Sequence, residues 1–499
     1  MVSPGSPIPI HRRPVSGRTI GAALLVGGLT PPGSAASVLG RVAQEADLVA
    51  ARQQMALSLG WHIVLACLGV GFPILILIGE GIGLRRGDAV ASELAYRWTK
   101  IFAVLFAVGA VSGTILSFEL GILWPGLMGT FGDVWGLPFA IEGIAFFLEA
   151  IFLGIYLYGR DRLSPRAHFL VGLPIPVAGI ASAWFVVTAN AWMNQPTGFD
   201  VALYKATGRV EGVDPVAAMF NPATPVQTTH MVLGALMLAG FLVASVYAWA
   251  WLRGRQDRYH RLGFTIAFAF AAAITPVQIV VGDWAARFLA ENQPTKLAAL
   301  EAVNETASGV PLTIGGIVID GEVRYGLEIP NGLSWLAHGR PDAVVRGLNE
   351  VPVDERPPVA IVRTAFQAMV AIGFFLLGLG GWLAVTWIRR RRLPQSLWFF
   401  RAAVVAGPAT VIALEAGWVT TEVGRQPWIV YGLMKVDEAV TTAPGIRFGY
   451  YGLIVVYTAL TVAVVTVLRR LRRPWPSADP AGTAIIGSSS PGMEPVEMS

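Results

Sequence analysis

The stretch Glu415–Trp428, EAGWVTTEVGRQPW, ends an apolar segment of the chain with two glutamates and a tryptophan. Glu415, Trp418 and Glu422 are three and four residues apart, so they share one face of a helix. The glycine and the proline of GRQPW then predict the helix end. A carboxylate inside a membrane helix costs at least about 2.5 kcal/mol and normally faces a partner, a cofactor or a water path. The stretch therefore predicts a transmembrane helix with a polar site at its end. For Glu422 alone, the alternative is a side chain that reaches the lipid headgroups.

The composition indicates a protein that crosses a membrane several times. Of its 499 residues, 54% are hydrophobic and only 14% are charged, and apolar runs long enough to cross about 30 Å of hydrocarbon recur. The net charge of +5 comes from basic residues at the ends of these runs, which gives no support to nucleic-acid binding. The single cysteine, Cys67, excludes a disulfide framework and a Cys-x-x-Cys-His attachment, so any haem is held non-covalently.

Hydropathy predicts nine transmembrane helices. Their ranges are 55–83, 100–121, 137–159, 169–193, 227–252, 262–286, 364–388, 398–421 and 449–469. We group six of them within residues 46–286 and three within residues 363–473, with one long connection at 287–362 between the groups. Arginines cluster in every odd-numbered loop and after the last span. By the positive-inside rule, these loops and the C-terminus are cytoplasmic, and the first span starts outside.

Two terminal segments are predicted to lie outside this bundle. Residues 1–45 are rich in Gly, Pro and Ser, and their apolar run Ile20–Leu29 is too short to span a membrane. We interpret them as an N-terminal extension, which could be a disordered segment, a weak signal peptide or the result of a mis-assigned start codon. Residues 474–499 are predicted to be a cytoplasmic tail.

Five candidate iron ligands or proton carriers are predicted to share the outer leaflet, within roughly two helical turns of the surface. They are His62, Glu142, His230, Met369 and Glu422. Histidine and methionine are the axial pair of a low-spin, electron-transferring haem, whereas a lone histidine or carboxylate suits an iron with an open position for a gas. Taken singly, such a histidine can be a structural hydrogen-bonding group and such a methionine is usually packing. Their common depth favours the ligand interpretation.

Two glutamates of the third span predict a proton path. Glu142 and Glu149 are seven residues apart, which puts them within about 20° of one helix face and about 10 Å apart along the axis. Ser182, Asn190 and Asp283 are further candidates for polar relays. For Ser182 and Asn190, an interhelical hydrogen bond is the simpler expectation.

The long connection at 287–362 lies outside by the same charge rule. It contains a strand-like piece, LTIGGIVIDGEV, and a loop of this length is usually functional or disordered. Its beginning, QPTKLAALEA, has a helical pattern with Lys296 and Glu301 five residues apart. An ordinary solvated helix is the alternative for this piece.

From about Arg52 to the last span, the chain resembles subunit I of the cytochrome bd family of quinol oxidases. The resemblance rests on seven ordered motifs: ARQQMALSLGWH, PFAIEG with FFLEA, TANAWM, NPATPVQTTH, QPTKLAALE, FQAMV and EAGWVTTEVGRQPW. GRQPW and TKLAALE are specific, whereas isolated histidines are not. The resemblance implies an all-α integral membrane protein with about nine transmembrane helices and one long extracytoplasmic quinol-binding loop. It also implies the cytoplasmic (inner) membrane of a bacterium or archaeon.

The resemblance further implies which residues would hold haem. His230 and Met369 would be the axial ligands of a low-spin haem b that takes electrons from quinol. His62, Glu142 and Glu422 would hold or face two high-spin haems, one of them the oxygen-reducing centre. The implied cofactors are therefore a low-spin haem b, a high-spin haem b and either haem d or a further haem b.

Other roles are implied in the same way. Trp418 would pack near the high-spin haems, and Arg425 would neutralise haem propionates or an adjacent carboxylate. Glu149 would belong to the proton path, while Lys296 and Glu301 would bind and deprotonate quinol. The implied partners are quinol, O₂, the lipid bilayer and oxidase subunit II, and the family also allows a small single-span subunit.

Three features depart from many family members. Gln367 stands two residues before Met369, where many members carry arginine. Glu142 and Glu149 are seven residues apart, where some members have eight, and the long loop lacks a C-terminal insertion. These features are similar to the short-loop, cyanide-insensitive branch, and they leave open haem d or haem b at the oxygen site. Ubiquinol and menaquinol are both open as the substrate.

The sequence thus predicts an electrogenic, non-pumping quinol oxidase that reduces O₂ to water with cytoplasmic protons. A proton-coupled membrane transporter is the alternative, because intramembrane glutamates also relay protons. That alternative does not explain a histidine and a methionine at the outer ends of two helices. A subunit that only transfers electrons is a third possibility, but it would not need His62 and Glu422.

Overall fold

The computed structural model describes residues 35–471, with side chains from Leu48 onward. The interpretations of residues 1–34 and of the tail at 474–499 lie outside this part. Helix α1 spans Ala35–Arg86, so residues 35–45 of the predicted extension are helical. The reason is local, because AASVLGRVAQEADL consists mainly of good helix formers and contains no proline.

The other elements follow in chain order. The helices are α2 (Ala89–Leu123), α3 (Pro125–Trp135), α4 (Leu137–Gly159), α5 (Pro165–Gly172), α6 (Pro174–Asn194), α7 (Val201–Thr207), α8 (Pro215–Met219), α9 (Thr224–Leu252), α10 (Arg258–Asn292), α11 (Pro294–Glu301), α12 (Gly332–His338), α13 (Val359–Arg390), α14 (Leu397–Val423), α15 (Val436–Ala439) and α16 (Ile446–Leu471). The strands are β1 (Ala307–Ser308), β2 (Leu312–Ile319), β3 (Glu322–Ile329), β4 (Val344–Val345), β5 (Trp428–Val430) and β6 (Met434–Lys435).

Nine helical segments of the described residues are long and apolar enough to cross a membrane. The predicted all-α membrane fold with nine spans is therefore confirmed. Several boundaries differ: α1 and α2 begin at Ala35 and Ala89, before the predicted starts at 55 and 100, and α10 runs to Asn292, past the predicted end at 286. Near the end of α10, Asp283 and Arg287 form an ion pair at 2.8 Å, four residues apart on the helix, which suits an exposed helix end.

Helix α9 is central, because it packs against α1, α10 and α14. Helix α4 packs on α6, and α13 packs on α14 and α10. Near the arginine-rich helix ends the core is aromatic, with Phe241, Phe264 and Phe268 fully buried and in ring contact. Lipid is as apolar as these side chains, so close packing holds the helices together more than transfer from water does.

Helix α16 lies at the periphery of the bundle. Its buried side chains are Ile446 and Tyr457, while Phe448, Val455 and Val462 are exposed. This apolar outer face suits contact with lipid or with a partner helix.

The connection between α10 and α13 is folded. It begins with α11 and continues into the antiparallel hairpin of β2 and β3, which confirms the strand-like interpretation. Asp320 and Gly321 join the two strands, and both have positive φ, as a two-residue primed turn requires.

The segment GRQPW follows α14 directly. Helix α14 ends at Val423, and Gly424 caps it through a backbone hydrogen bond to Thr420. The chain then forms the short hairpin of β5 and β6. The predicted helix end is therefore confirmed, and it brings Arg425 back towards the bundle interior, where its side chain is 3% exposed.

We expect Gly71→Ala to lower the Tm of the purified protein. A Cβ at Gly71 would come within 2.5 Å of the Cβ of Ala239 on α9, and such overpacking typically costs about 1–3 kcal/mol. The matched control is Gly69→Ala on the same helix, where a Cβ meets nothing within 4 Å. Equal Tm values for the two variants in detergent would show that α1 and α9 do not pack this closely.

Candidate functional site

Glu422, in the last turn of α14, has two polar partners. It accepts a hydrogen bond from Nδ2 of Asn190 on α6 and pairs with Nη2 of Arg425 at 2.5 Å. Nε and Nη1 of Arg425 are buried without a hydrogen-bond partner among the described residues, which costs about 1–3 kcal/mol for each such group. The guanidinium therefore has the capacity for a second anionic group besides Glu422.

A line of hydrogen bonds runs from Glu422 to α11. Asn194 donates from Nδ2 to Oδ1 of Asn190 at 3.1 Å, and Nζ of Lys296 donates to Oδ1 of Asn194 at 2.6 Å. Lys296 is only 3% exposed, so the alternative of a solvated helix is wrong. Burial and the nearby Arg425 lower the pKa of Lys296 to about 7, although Glu422 opposes this shift. Sequence reasoning missed Asn194, whose only signal was its position four residues after Asn190.

Glu301, at the end of α11, faces a different helix. Its carboxylate lies 3.3 Å from Nη1 of Arg363 on α13, and the two side chains are 6% and 2% exposed. Nη2 of Arg363 also donates to the carbonyl oxygens of Thr313, at 2.8 Å, and Gly315, at 3.0 Å. Burial raises the pKa of Glu301 to about 7, while Arg363 opposes the rise. Five residues correspond to about 140° around a helix, which is why Lys296 and Glu301 have separate partners.

Gln367 binds the same hairpin. The backbone N–H of Gly315 donates to Oε1 of Gln367 at 3.1 Å. An arginine has no acceptor atom and could not take this bond. In this chain, the residue that departs from many family members therefore helps Arg363 to fasten β2 to α13.

His62 on α1 faces α2. Nδ1 lies 2.8 Å from Oγ of Ser112, and this hydroxyl donates its own proton to the carbonyl of Gly109 at 2.9 Å. The hydroxyl therefore accepts from Nδ1, which puts the ring proton on Nδ1 and leaves the lone pair on Nε2. A fixed tautomer of this kind is what a metal-binding histidine needs. The ring lies against Gly113, where a Cβ would come within 3.1 Å of Cε1.

His230 and Met369 lie on α9 and α13, and each has a glycine neighbour. Nε2 of Gln278 is 3.3 Å from both ring nitrogens of His230, and Gly282 lies next to Cε1. A Cβ at Gly417 on α14 would come within 2.9 Å of Sδ of Met369, so the methionine sulfur lies directly against this glycine. His230 and Met369 remain predicted ligands.

Glu142 and Glu149 both face α6, as their spacing indicated. Ser182 donates to Oε1 of Glu142 at 2.8 Å. Glu149 is 4% exposed and its Oε1 has no partner among the described residues. A Cβ at Gly179 would lie 3.1 Å from that oxygen. Asp283 does not join this line, because it forms the exposed pair with Arg287.

The start of EAGWVTTEVGRQPW faces α1. Glu415 and Trp418 both lie near Gly60, where a Cβ would be 3.5 Å from Oε2 of the glutamate and 3.6 Å from the indole ring. Nε1 of Trp418 is buried without a partner among the described residues. Glu415 was quoted for its helix face but not predicted as a site residue, and its position beside α1 places it in the same part of the bundle as Trp418.

The donor set fits haem iron better than a bare ion. Within residues 48–471, no three His, Cys, Asp or Glu side chains come together as a metal cluster would require. The candidate ligands instead lie singly on separate helices, and iron already held in a macrocycle needs only one or two axial ligands. The unpaired guanidinium nitrogens of Arg425 suit a propionate, and Nε2 of His62 suits iron. Fold and site together define a multi-pass membrane protein with candidate haem ligands buried between its helices.

Comparison with known proteins identifies the family. The sequence profile of the cytochrome bd terminal oxidase subunit I family matches residues 50–476, and the chain belongs to this family. The putative cytochrome bd menaquinol oxidase subunit I of Bacillus subtilis (strain 168) is 39% identical over 447 residues, which cover 88% of this chain and 99% of that protein. The cytochrome bd ubiquinol oxidase subunit 1 of the same strain is 30% identical over 443 residues, or 85% and 93% of the two chains.

A solved structure agrees with this assignment. The bd oxidase from Geobacillus thermodenitrificans matches with a TM-score of 0.80 and 41% identity, covering 86% of this chain and 99% of that chain. The protein is thus a subunit of a terminal respiratory quinol oxidase, a family that carries haem and assembles with a subunit II. Family membership decides against the transporter and against a subunit that only transfers electrons.

We expect Arg363→Gln to loosen the hairpin of β2 and β3. The change would leave Glu301 buried without its cation, and breaking a buried pair in this way typically costs about 3–5 kcal/mol. Hydrogen exchange of the backbone amides in β2 should become faster. The control is Arg324→Gln in β3, whose ion-pair side chains are 51% and 84% exposed and whose loss should have little effect. Unchanged exchange in Arg363→Gln would contradict the anchoring role.

Proposed function

We propose that this chain is the haem-bearing subunit of an electrogenic, non-pumping quinol:oxygen oxidoreductase. Quinol is oxidised at the outer face of the membrane, and O₂ is reduced to water with protons from the cytoplasm. The observation that carries the proposal is the hydrogen-bonded line from Lys296 through Asn194 and Asn190 to Glu422. This line connects the segment that we propose to bind quinol with Glu422, a candidate haem ligand. The relatives named as menaquinol and ubiquinol oxidase subunits support quinol as the substrate class.

The proposed quinol site is built on α11. Oxidation of a quinol releases two protons, and a carboxylate with a pKa near the working pH is suited to accept one. Glu301 has this property, since its pKa is raised to about 7. Lys296 lies at the other end of the same helix and links the site to Glu422. In this proposal Glu301 takes a proton and Lys296 contributes hydrogen bonding.

Haem, when bound, supplies the electron transfer and the reduction of O₂. His230 and Met369 would hold a low-spin haem b. His62, Glu142 and Glu422 would hold or face two high-spin haems, a haem b and either haem d or a further haem b. Each of these residues lies on a different helix, as ligands of haems enclosed by a bundle would.

The surrounding residues support these haems and the proton supply. Arg425 would neutralise a propionate with the guanidinium nitrogens that Glu422 leaves free, and Trp418 would pack nearby. Glu149 and Glu142, on one face of α4, would carry protons from the cytoplasmic half. Protons and electrons then reach one centre from opposite sides, which makes the reaction electrogenic without pumping.

The working protein is proposed to be a complex in the cytoplasmic (inner) membrane of a bacterium or archaeon. The first span would start outside, and the C-terminus would be cytoplasmic. Subunit II is the main partner, and a small single-span subunit is a further candidate component. The exposed apolar faces of helices such as α16 suit such contacts.

The deciding experiment is a reduced-minus-oxidised visible spectrum of the purified complex, repeated with carbon monoxide and joined to an assay of quinol-driven O₂ consumption. The proposal expects low-spin haem b, a carbon-monoxide-reactive high-spin component and O₂ consumption. A long-wavelength chlorin band would add haem d. A folded complex without haem would contradict the proposal.

We expect either His230→Ala or Met369→Leu to remove the low-spin haem b signal, because each variant deletes one axial ligand. The high-spin signals should remain in the reduced-minus-oxidised spectrum. Met237→Leu is the matched control, since this buried methionine lies on α9 two turns from His230. A low-spin signal that survives in both variants would show that another pair of ligands holds this haem.

In the wild type, we expect the rate of quinol oxidation to rise as the pH passes about 7, the raised pKa of Glu301. We expect Glu301→Gln to abolish this rise. The carboxylate is the form that accepts a proton, so the wild-type rate should rise as the pH passes this value from below. The amide neither ionises nor accepts a proton, so the variant should turn over quinol slowly at all pH values while its haem spectrum is retained. Undiminished turnover would remove Glu301 from the mechanism.

A further inference from the structure

A second buried polar group lies between α1, α2 and α16, outside the site described above. Its members are Gln54 and Ser58 on α1, Glu119 on α2 and Tyr457 on α16. Their exposed fractions are 8%, 0%, 4% and 2%, respectively. We call it the Glu119 group. It lies near the end of α2, beside the middle of α1, and away from the arginine-rich loop at 85–88.

Several polar atoms of the Glu119 group have no close partner among the described residues. Nε2 of Gln54 donates a hydrogen bond to Oε1 of Glu119, at 2.9 Å. The partner-free atoms among the described residues are Oε1 of Gln54, Oγ of Ser58, Oε2 of Glu119 and the hydroxyl of Tyr457. Ser58 lies beside both the carboxylate and the phenol. Four converging groups of this kind match what a buried water molecule requires, which is two to four polar partners.

Among residues 48–471, no cation pairs with Glu119. None of the ion pairs among the described side chains includes it. The side chains that face it are the uncharged Gln54 and Ser58 from α1 and the titratable phenol of Tyr457 from α16. A buried carboxylate without a counter-charge is strongly disfavoured unless it takes up a proton. This environment therefore favours a carboxyl group that changes its protonation when the local charge changes.

The Glu119 group is continuous with the surroundings of His62. Gln54, Ser58 and His62 are spaced four residues apart on one face of α1. On α2, Ser112 bonds Nδ1 of His62, and Glu119 follows seven residues later on the same face. Four residues correspond to about 6 Å along a helix axis, so Ser58 lies one turn from His62. The polar side chains thus form a column in the seam between α1 and α2.

Helix α16 closes this column on its outer side. Gly449 lies so close to Gln54 that a Cβ there would be 3.0 Å from Oε1. About two turns further along α1, Trp61 donates from Nε1 to Oγ1 of Thr461 at 3.0 Å and packs against Tyr457 with 4.9 Å between ring centroids. These contacts hold the phenol against Ser58, although α16 is otherwise peripheral.

We propose that the Glu119 group is a water-binding proton site that compensates charge at the haem held by His62. With that haem reduced, Glu119 would carry a proton taken from solvent near the end of α2 and would be a carboxylic acid. With the haem oxidised, the O–H bond would break and the proton would return to solvent. No other bond changes. The proposal rests on the proposed function, because it takes His62 to be a haem ligand.

The test is redox-induced infrared difference spectroscopy of the purified complex with its subunit II. The wild type should show a carboxylic acid C=O band that appears on reduction and shifts in D₂O. Glu119→Gln should lose this band, and Tyr457→Phe should keep it at a shifted position, because one neighbouring hydroxyl is gone. Glu328→Gln, an exposed position on β3, should leave the band unchanged.

A band that persists in Glu119→Gln, with haem retained, would overturn the proposal. If Glu119→Gln does not assemble, an unshifted band in Tyr457→Phe would overturn it as well. The visible spectrum of the same sample separates this failure from failure of the proposed function. Wild-type protein without haem would refute the proposed oxidase function. If the wild type contains haem but Glu119→Gln leaves the carboxyl band unchanged, only the role of Glu119 is refuted.

Discussion

The ion pair between Glu422 and Arg425 is the contact on which the rest of the candidate site depends. A carboxylate at this depth needs a partner, and it has one because α14 ends at Val423 and the chain turns back at once. Asn190 then fixes the other carboxylate oxygen from α6, and Lys296 approaches through Asn194. Two basic side chains thus surround one carboxylate, and the group has capacity for a further anion. A haem propionate would satisfy both the charge and the unpaired nitrogens of Arg425.

The segment between α10 and α13 takes its position from the same helices. Lys296 and Gln293 fasten its beginning to Asn194, and Arg363 fastens both Glu301 and β2 to α13. Arg363 lies less than two turns from Met369 on that helix. A quinol bound to this segment would therefore be positioned by the same helices that carry the candidate haem ligands. The distance from quinol to haem would then be set by helix packing and not by loop motion.

The sequence predicted the depth of residues in the membrane better than it predicted their partners on other helices. Runs of apolar residues located nine spans, and GRQPW located a helix end, because both features are local. The shared face of Glu142 and Glu149 followed from helical spacing alone. The partners of these residues did not follow, since hydropathy reports how deep a side chain lies and not which helix it faces. Asn194 and Arg363 were missed for this reason, and Asp283 was a candidate relay although it forms an exposed ion pair.

Helix α11 shows how one short element can carry two buried ionisable groups. Burial raises the pKa of Glu301 from 4.5 to about 7, so its contribution to stability is complete below 4.5 and is lost as the pH rises through 7. Burial lowers the pKa of Lys296 from 10.5 to about 7, so its contribution is complete above 10.5 and is lost as the pH falls through 7. Below neutrality the helix therefore carries mainly the lysine charge, and above it mainly the glutamate charge. Since the two buried charges are not required together, Glu301 can exchange a proton near pH 7 at a low cost to the fold.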